Sequence, residues 1–386
     1  MKRRINLLRE FSIPLLAGVV VALIWANLDP SGYHAFNTAP ALYGLSFHFI
    51  ANELFMVLFF GIAAVEITQS CLPGGALNPA TKAVNPLLGT LGGVLGPIIV
   101  FLGLNALMGS PEYSNGWGIP TATDIALAWL AARIVFGATH PAVSYLLLLA
   151  VADDAIGLII ITIFYPNPNM PTEPLWLLLT GAGMATAYLM RRCHLLSYWP
   201  YILAGGTLSW TGLHQAHLHP ALALVFIIPF LPRAKEERKG LFEEDLRDRT
   251  PLSRFEQEWK VFVDCGLFIF SLSNAGVEFS NVGVVTWLIL AALVAGKTIG
   301  IFGFGLLATR LGFDLPHGMK QRDLLLAGLI AGTGFTVALF IAGEAYTDPI
   351  IRGAAKMGAL FSLVAAISGI IIGRLAWKKV TPRRSR

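Results

Sequence analysis

Charge is scarce in this sequence. Of its 386 residues only 13% are Asp, Glu, Lys or Arg, about half of the roughly 25% usual in a soluble domain. Hydrophobic residues make up 55%, too many for one soluble core. Cysteine is also rare. Cys71, Cys193 and Cys265 are far apart and odd in number, which argues against a disulfide framework and a thiolate metal site. No glycine-rich phosphate-binding loop is present, so nothing points to a nucleotide-driven pump.

What is present is a series of apolar runs near the 20 residues needed to cross about 30 Å of hydrocarbon. Many are apolar all round. An open sheet cannot satisfy its backbone in lipid, so the chain reads as an all-α polytopic membrane protein. Hydropathy and breaker residues place about twelve spans, at 12–28, 50–70, 83–107, 119–135, 143–164 and 176–190, then 200–213, 220–231, 259–274, 284–308, 324–342 and 353–374. The whole chain, 1–386, reads as a single transporter domain. The start, MKRRINLLREF, has no small-residue cleavage pattern after it and reads as an uncleaved first helix.

Lysine and arginine are missing from alternate connections: 29–48, 105–118, 165–176, 213–219 and 274–284. The other connections and both ends carry them. Both termini are therefore expected in the cytoplasm. Arg352 and Lys356 break the pattern at the outer end of the last span. The net charge of +5 is a topology signal and calls for no nucleic-acid partner. Segment 233–256 mixes both signs and reads as a charged cytoplasmic loop.

Ionisable residues at membrane depth are costly and mark function. Here they are Glu53, Glu66, Asp124, Asp153, Asp154, Asp264 and Lys297. Asp153 and Asp154 sit mid-span in LLLLAVADDAIGLIIITIF. A structural ion pair with Lys297 is the plainer reading. Yet adjacent helical residues point about 100° apart. One acid can face a neighbouring helix while the other faces a water-filled cavity. Burial and a like charge favour the protonated acid, and a nearby lysine opposes this. A carboxyl so balanced can hold either a proton or a hard cation such as Na⁺ or Li⁺, and mutually exclusive binding suffices for exchange.

Two spans contain breakers. GIPTATDIALAW holds Pro120 ahead of Thr121, Thr123 and Asp124. GLIAGTGFTVALF holds Gly328, Gly332 and Gly334 around Thr333 and Thr336. They are the middle members of spans 3–5 and 10–12, the arrangement of an inverted-topology repeat with a midplane ion site. Close helix packing is the other reading of such glycines. Opened helices expose partial charges. Asp124 is placed to offset the positive ends and Lys297 the negative ones.

In order and spacing, IPTATDIALA, VADDAIG, SNAGV, GKTIGI and GTGFT followed by FIA resemble the NhaA family of sodium/proton antiporters, over nearly the whole chain. That family is itself a type case of inverted-repeat transporters, so the symmetry and the resemblance overlap. The resemblance implies unwound, crossing helices 4 and 11, supported here by Pro120, Gly332, Thr333, Gly334 and Thr336. It implies that Asp154 is the main cation ligand, with Asp153 beside it pairing with Lys297, and that Thr123 and Asp124 belong to the same ion site. It implies a secondary transporter of the bacterial inner membrane and not an enzyme: electrogenic exchange of two protons for one Na⁺ or Li⁺, no cofactor, homodimers, and a part in pH and sodium homeostasis.

The chain departs from the family pattern at its cytoplasmic side. After Glu66 come Thr68, Gln69 and Ser70 in place of charged residues, and Gln257 and Lys260 stand where histidines are common. Glu66, His219, Glu256 and Asp264 form the candidate pH-regulating set. His214, His217 and His219 have spacings that could suggest a metal site, but they lie at the outer end of a short span with no adjacent acidic partner, which reads as a structural or gating role. Two other classes compete with the antiporter. A sodium-coupled symporter of an organic solute shares broken helices but has no reason for a paired Asp–Asp and a membrane lysine. An intramembrane aspartyl protease needs two carboxyls facing each other across a gap, with Asp124 as the partner acid.

Overall fold

The computed structural model describes residues 13–42, 44–72, 80–166, 171–232 and 250–378. It is almost wholly helical. The helices are α1 (Ile13–Leu28), α2 (Pro30–Thr38), α3 (Phe47–Cys71), α4 (Ala80–Met108), α5 (Ile125–Phe136), α6 (Pro141–Phe164) and α7 (Leu177–Arg192), followed by α8 (Thr207–Gln215), α9 (Pro251–Asn274), α10 (Val284–Arg310), α11 (Gln321–Ala331), α12 (Thr336–Ala345), α13 (Pro349–Phe361) and α14 (Leu363–Lys378). Among the described residues the only strand pairing is a short antiparallel one, Pro40–Leu42 with Leu45–Ser46. It is a small departure from an all-helical expectation.

Among the described residues, five stretches are long and apolar enough to cross a membrane: Phe47–Cys71, Ala83–Met108, Pro141–Phe164, Val284–Arg310 and Pro349–Leu375. Two further pairs qualify only jointly. Pro111–Thr121 (a 3-10 helix) and α5 meet at a 56° bend, and α11 meets α12 at 48°. These are the two segments whose Pro and Gly content predicts interruption. The breaks fall at 122–124 and 332–335. The remaining expected spans also fall on helical backbone, but these stretches are shorter or more polar. Residues 220–230 form 3-10 turns, because Pro220 and Pro229 each remove a backbone donor. Of the charged segment 233–256, residues 233–249 lie outside the described residues, and Pro251 opens α9.

Side chains facing outward are apolar, as lipid requires: Ile99, Ile163, Leu203 and Ile299 are each more than 60% exposed. The interior holds the polar groups. α4 and α10 pack backbone to backbone, and a Cβ at Gly296 would stand 2.7 Å from Pro97 Cα. Only glycine permits this approach. It sets the position of the next residue, Lys297. A π turn over Ala292–Gly296 also shifts the register of Lys297 relative to the apolar start of α10.

Candidate functional site

The two interruptions face each other. Thr333 carbonyl accepts from Asp124 N–H at 2.7 Å, and Ala331 carbonyl lies 3.0 Å from Thr123 Oγ1. The open C-terminal end of α11 is thus met by groups of the other break. Lys297, expected to offset these negative ends, instead bonds to Asp153 and Thr123. The open N-terminal ends share a single acid. Asp124 Oδ1 accepts from Leu127 N–H at 3.0 Å in α5, and its Oδ2 from Thr336 N–H at 3.3 Å and Thr336 Oγ1 at 3.1 Å in α12. One carboxylate therefore satisfies two helix starts. Unmatched, these donors would each cost several kcal/mol in a dry interior.

Helix α6 carries Asp153 and Asp154 into this frame. Both are buried, at 0% and 7% exposure, but their surroundings differ. Asp153 Oδ2 forms an ion pair with Lys297 Nζ, and both side chains are wholly enclosed. Thr123 Oγ1 stands 2.6 Å from the same oxygen and 2.5 Å from Lys297 Nζ. A hydroxyl has one proton. It accepts from the ammonium while donating to either Asp153 or the Ala331 carbonyl, so it can alternate between them.

Asp154 points the other way, as the 100° step predicts. It lines a cavity of about 890 Å³ with Thr123, Asp124 and Thr336. Its Oδ1 is buried and has no hydrogen-bond partner among the described residues, and the same holds for Asp153 Oδ1 and Thr333 Oγ1. Buried carboxylate oxygens are normally satisfied. Oxygens without protein partners beside an open cavity suit a hard cation or a proton.

Pro120 lies in the last turn of the 3-10 segment, which ends at Thr121 just before the first break. Gly332 and Gly334 let the second break approach its neighbours: a Cβ on Gly334 would lie 2.8 Å from the Ala122 carbonyl, and one on Gly332 2.7 Å from that of Leu293. Gly334 N–H donates to Ser362 Oγ at 3.2 Å.

Glu66, Glu256 and Asp264, expected together as a regulatory set, line the far end of the same cavity. His219 does not join them. It lines a second cavity, of about 660 Å³, with Glu53, Glu344 and Arg352. There its Nε2 contacts the Tyr165 carbonyl, and its Nδ1 lies 3.9 Å from Glu344 Oε2. Helix α3 runs between the two cavities, with Glu53 in one and Glu66 in the other. The rings of Phe60 and Phe340 meet edge to face at 5.4 Å, and His219 packs on Phe340 at 5.7 Å.

Two participants escape a sequence-only reading. Glu344 lies at the end of an interrupted helix, where an acid reads as part of a loop. Gln69 holds Glu256 Oε2 at 2.8 Å, yet in sequence it registers only as a lost charge. Pairing across 187 positions has no local signal.

Comparison with known proteins agrees along the whole chain. The family profile described as Na⁺/H⁺ antiporter 1 matches residues 5–372. The chain is 71% identical over 375 residues to "Na(+)/H(+) antiporter NhaA 2" of Pelobacter propionicus, covering 97% of this chain and 98% of that protein. It is 67% identical over 374 residues to "Na(+)/H(+) antiporter NhaA" of Geobacter sulfurreducens, with the same coverage. Among solved structures, the sodium proton antiporter MjNhaP1 of Methanocaldococcus jannaschii at pH 8 aligns with a TM-score of 0.54 at 17% identity, over 95% of this chain and 97% of that one. That likeness is one of fold.

Proposed function

Because the chain belongs to the Na⁺/H⁺ antiporter 1 family, we propose that it exchanges Na⁺ or Li⁺ for H⁺ across a membrane at Asp153 and Asp154. The observation that carries this reading is the unequal setting of the two acids. Asp153 is bound to Lys297 and Thr123, whereas Asp154 lines the larger cavity with an unpartnered oxygen.

In this reading a cation enters the cavity and loses part of its hydration shell to Asp154, with Thr123 and Asp124 nearby. The incoming charge displaces the proton held at Asp154. Asp153 loosens from Lys297 as the ion and proton states change, and Thr123 shifts its hydroxyl proton between the acid and the Ala331 carbonyl. The cation then leaves on the side of the second cavity. Two protons leave per cation, one from Asp154 and one from the Asp153–Lys297 pair as Lys297 gives up its proton, so exchange moves net charge. Driven by an inward proton gradient, it exports sodium and regulates internal pH. Na⁺, Li⁺ and H⁺ are cargo, and the residues present do this chemistry without a resident cofactor.

The same reading keeps one transporter domain of twelve spans, with spans 3–5 and 10–12 as inverted repeats and helices 4 and 11 crossing at the midplane. It places the protein in the bacterial inner membrane as a homodimer, with both termini and the 233–256 connection in the cytoplasm. The matched bends and the alternation of Lys and Arg support this. A protease is disfavoured, because both oxygens of Asp124 are bonded to helix starts and Asp153 is bonded to a lysine. A symporter would need an organic solute for sodium movement.

The test is Na⁺- or Li⁺-induced proton movement in everted vesicles, across a pH series. The native chain should exchange without added solute, and Asp154→Asn should abolish it. Normal exchange by Asp154→Asn would overturn the site.

A further inference from the structure

The mouth of the larger cavity already holds a cation. Lys260 Nζ, on α9, lies 3.1 Å from Glu66 Oε1 on α3 and 3.6 Å from Glu256 Oε1 one turn away. The second Glu256 oxygen is held by Gln69 Nε2 at 2.8 Å. All four side chains, and Asp264, line the cavity that contains Asp154. Lys260 is 38% exposed, more than either acid it touches, so its ammonium is partly solvated and can swing away. The neighbouring Arg254–Glu258 pair does not line the cavity and is not part of this arrangement.

We propose that Lys260 is a tethered competitor of the transported cation, occupying the acidic mouth and setting the apparent affinity for Na⁺ and Li⁺. The inference rests on the antiporter reading above and deepens it. An ammonium bound to two carboxylates occupies the oxygens that a partly dehydrated Na⁺ would take. Of the acids lining this part of the cavity, Glu66 and Glu256 are paired with Lys260. An arriving cation must displace the ammonium or pass a mouth whose charge is lowered by one unit. The lysine remains charged throughout the neutral range, so the competition persists across it. Its four-carbon stem lets the head move off and return without disturbing α9. Lys260 is a specificity-determining residue here: it acts on entry and does not touch the ion at Asp154.

The test is the KM for Na⁺ and for Li⁺ in proteoliposomes at low ionic strength, repeated with added choline chloride to screen the mouth. Lys260→Gln should lower KM about threefold, the effect of one unit charge at about 8 Å in a mostly aqueous entrance, with kcat changed less. The gap should close near 0.5 M choline chloride, where the screening length is only a few Å (about 4 Å). Lys260→Arg should keep the native KM. Lys260→Met, which retains the bulk of the stem, is measured alongside in case the amide variant folds poorly. An unchanged KM in either neutral variant, or a fall that survives high salt, overturns the proposal. Absence of cation-dependent proton movement in the native chain would instead overturn the antiporter reading, so the two failures are distinguishable.

Discussion

Asp124 and Thr336 join the two interrupted helices through one carboxylate: Asp124 Oδ2 accepts from the backbone N–H of Thr336 at 3.3 Å and from its hydroxyl at 3.1 Å, while Oδ1 caps α5. The acid compensates two helix starts at once. It follows that Asp124 is a structural keystone as well as a lining residue of the cavity that contains Asp154.

Substitution at this junction should therefore register in stability before transport is considered. Asp124→Asn keeps only one acceptor oxygen and loses the charge that faces two helix dipoles. A loss of about 1–2 kcal/mol per cap is expected, with Asp124→Ala worse. Thr336→Val keeps the backbone bond and should cost less than either. Thermal unfolding in detergent gives the order; a Thr336→Val variant less stable than Asp124→Ala would contradict the double-cap role.

The two adjacent acids should separate by the same measurement. Asp154→Asn replaces a buried acid whose Oδ1 has no partner among the described residues, so its thermal midpoint should hold or rise while exchange is lost. Asp153→Asn should lower the midpoint, since it strands the buried Lys297 ammonium. Equal midpoints for the two variants would refute the assigned asymmetry.

Lys297 gives the converse case. Removing one partner of a buried ion pair leaves an uncompensated charge and typically costs about 3–5 kcal/mol. Lys297→Ala should be destabilised on that scale. In an Asp153→Asn background the added cost should shrink, because no carboxylate is then left alone. Additive losses in the double variant would show that the two side chains do not act as a pair.

Much of this architecture is legible in the sequence. Pro120 and the Gly332–Gly334 cluster mark the two bends, because each lowers the cost of leaving the helix, and the bends fall within a few residues of those markers. The unequal orientation of Asp153 and Asp154 follows from helix geometry alone. What the sequence does not show is who meets whom across the bundle. That Asp124 caps α12 as well as α5 depends on the packing of segments 212 positions apart. The Asp153–Lys297 pair is implied by the family resemblance, but the glycine contact between α4 and α10 that fixes where the lysine Cα stands has no local signal. His219 groups with Glu66 in a list of titratable residues, yet the two lie at opposite ends of α3.

That separation yields a test of orientation. Glu66 lines one cavity and Glu344 the other, and the topology expected from the lysine and arginine pattern has the Glu66 end on the cytoplasmic side. Cys71, Cys193 and Cys265 are all exposed and must first be replaced. In that background, a charged thiol reagent that cannot cross the bilayer should label Glu66→Cys in everted vesicles. It should label Glu344→Cys in right-side-out vesicles. The closed ring contacts of Phe60, Phe340 and His219 stand between the two ends. Small reagents admitted from one side should therefore not reach the other without turnover. Exchanged labelling would mean that the orientation is wrong; labelling of both positions from one side would mean either that the aromatic barrier leaks or that the two ends are exposed alternately during turnover, and these two are told apart by adding saturating Na⁺. A leak through an open barrier would persist unchanged, whereas labelling that depends on alternating exposure should follow the exchange cycle and be lost with Asp154→Asn.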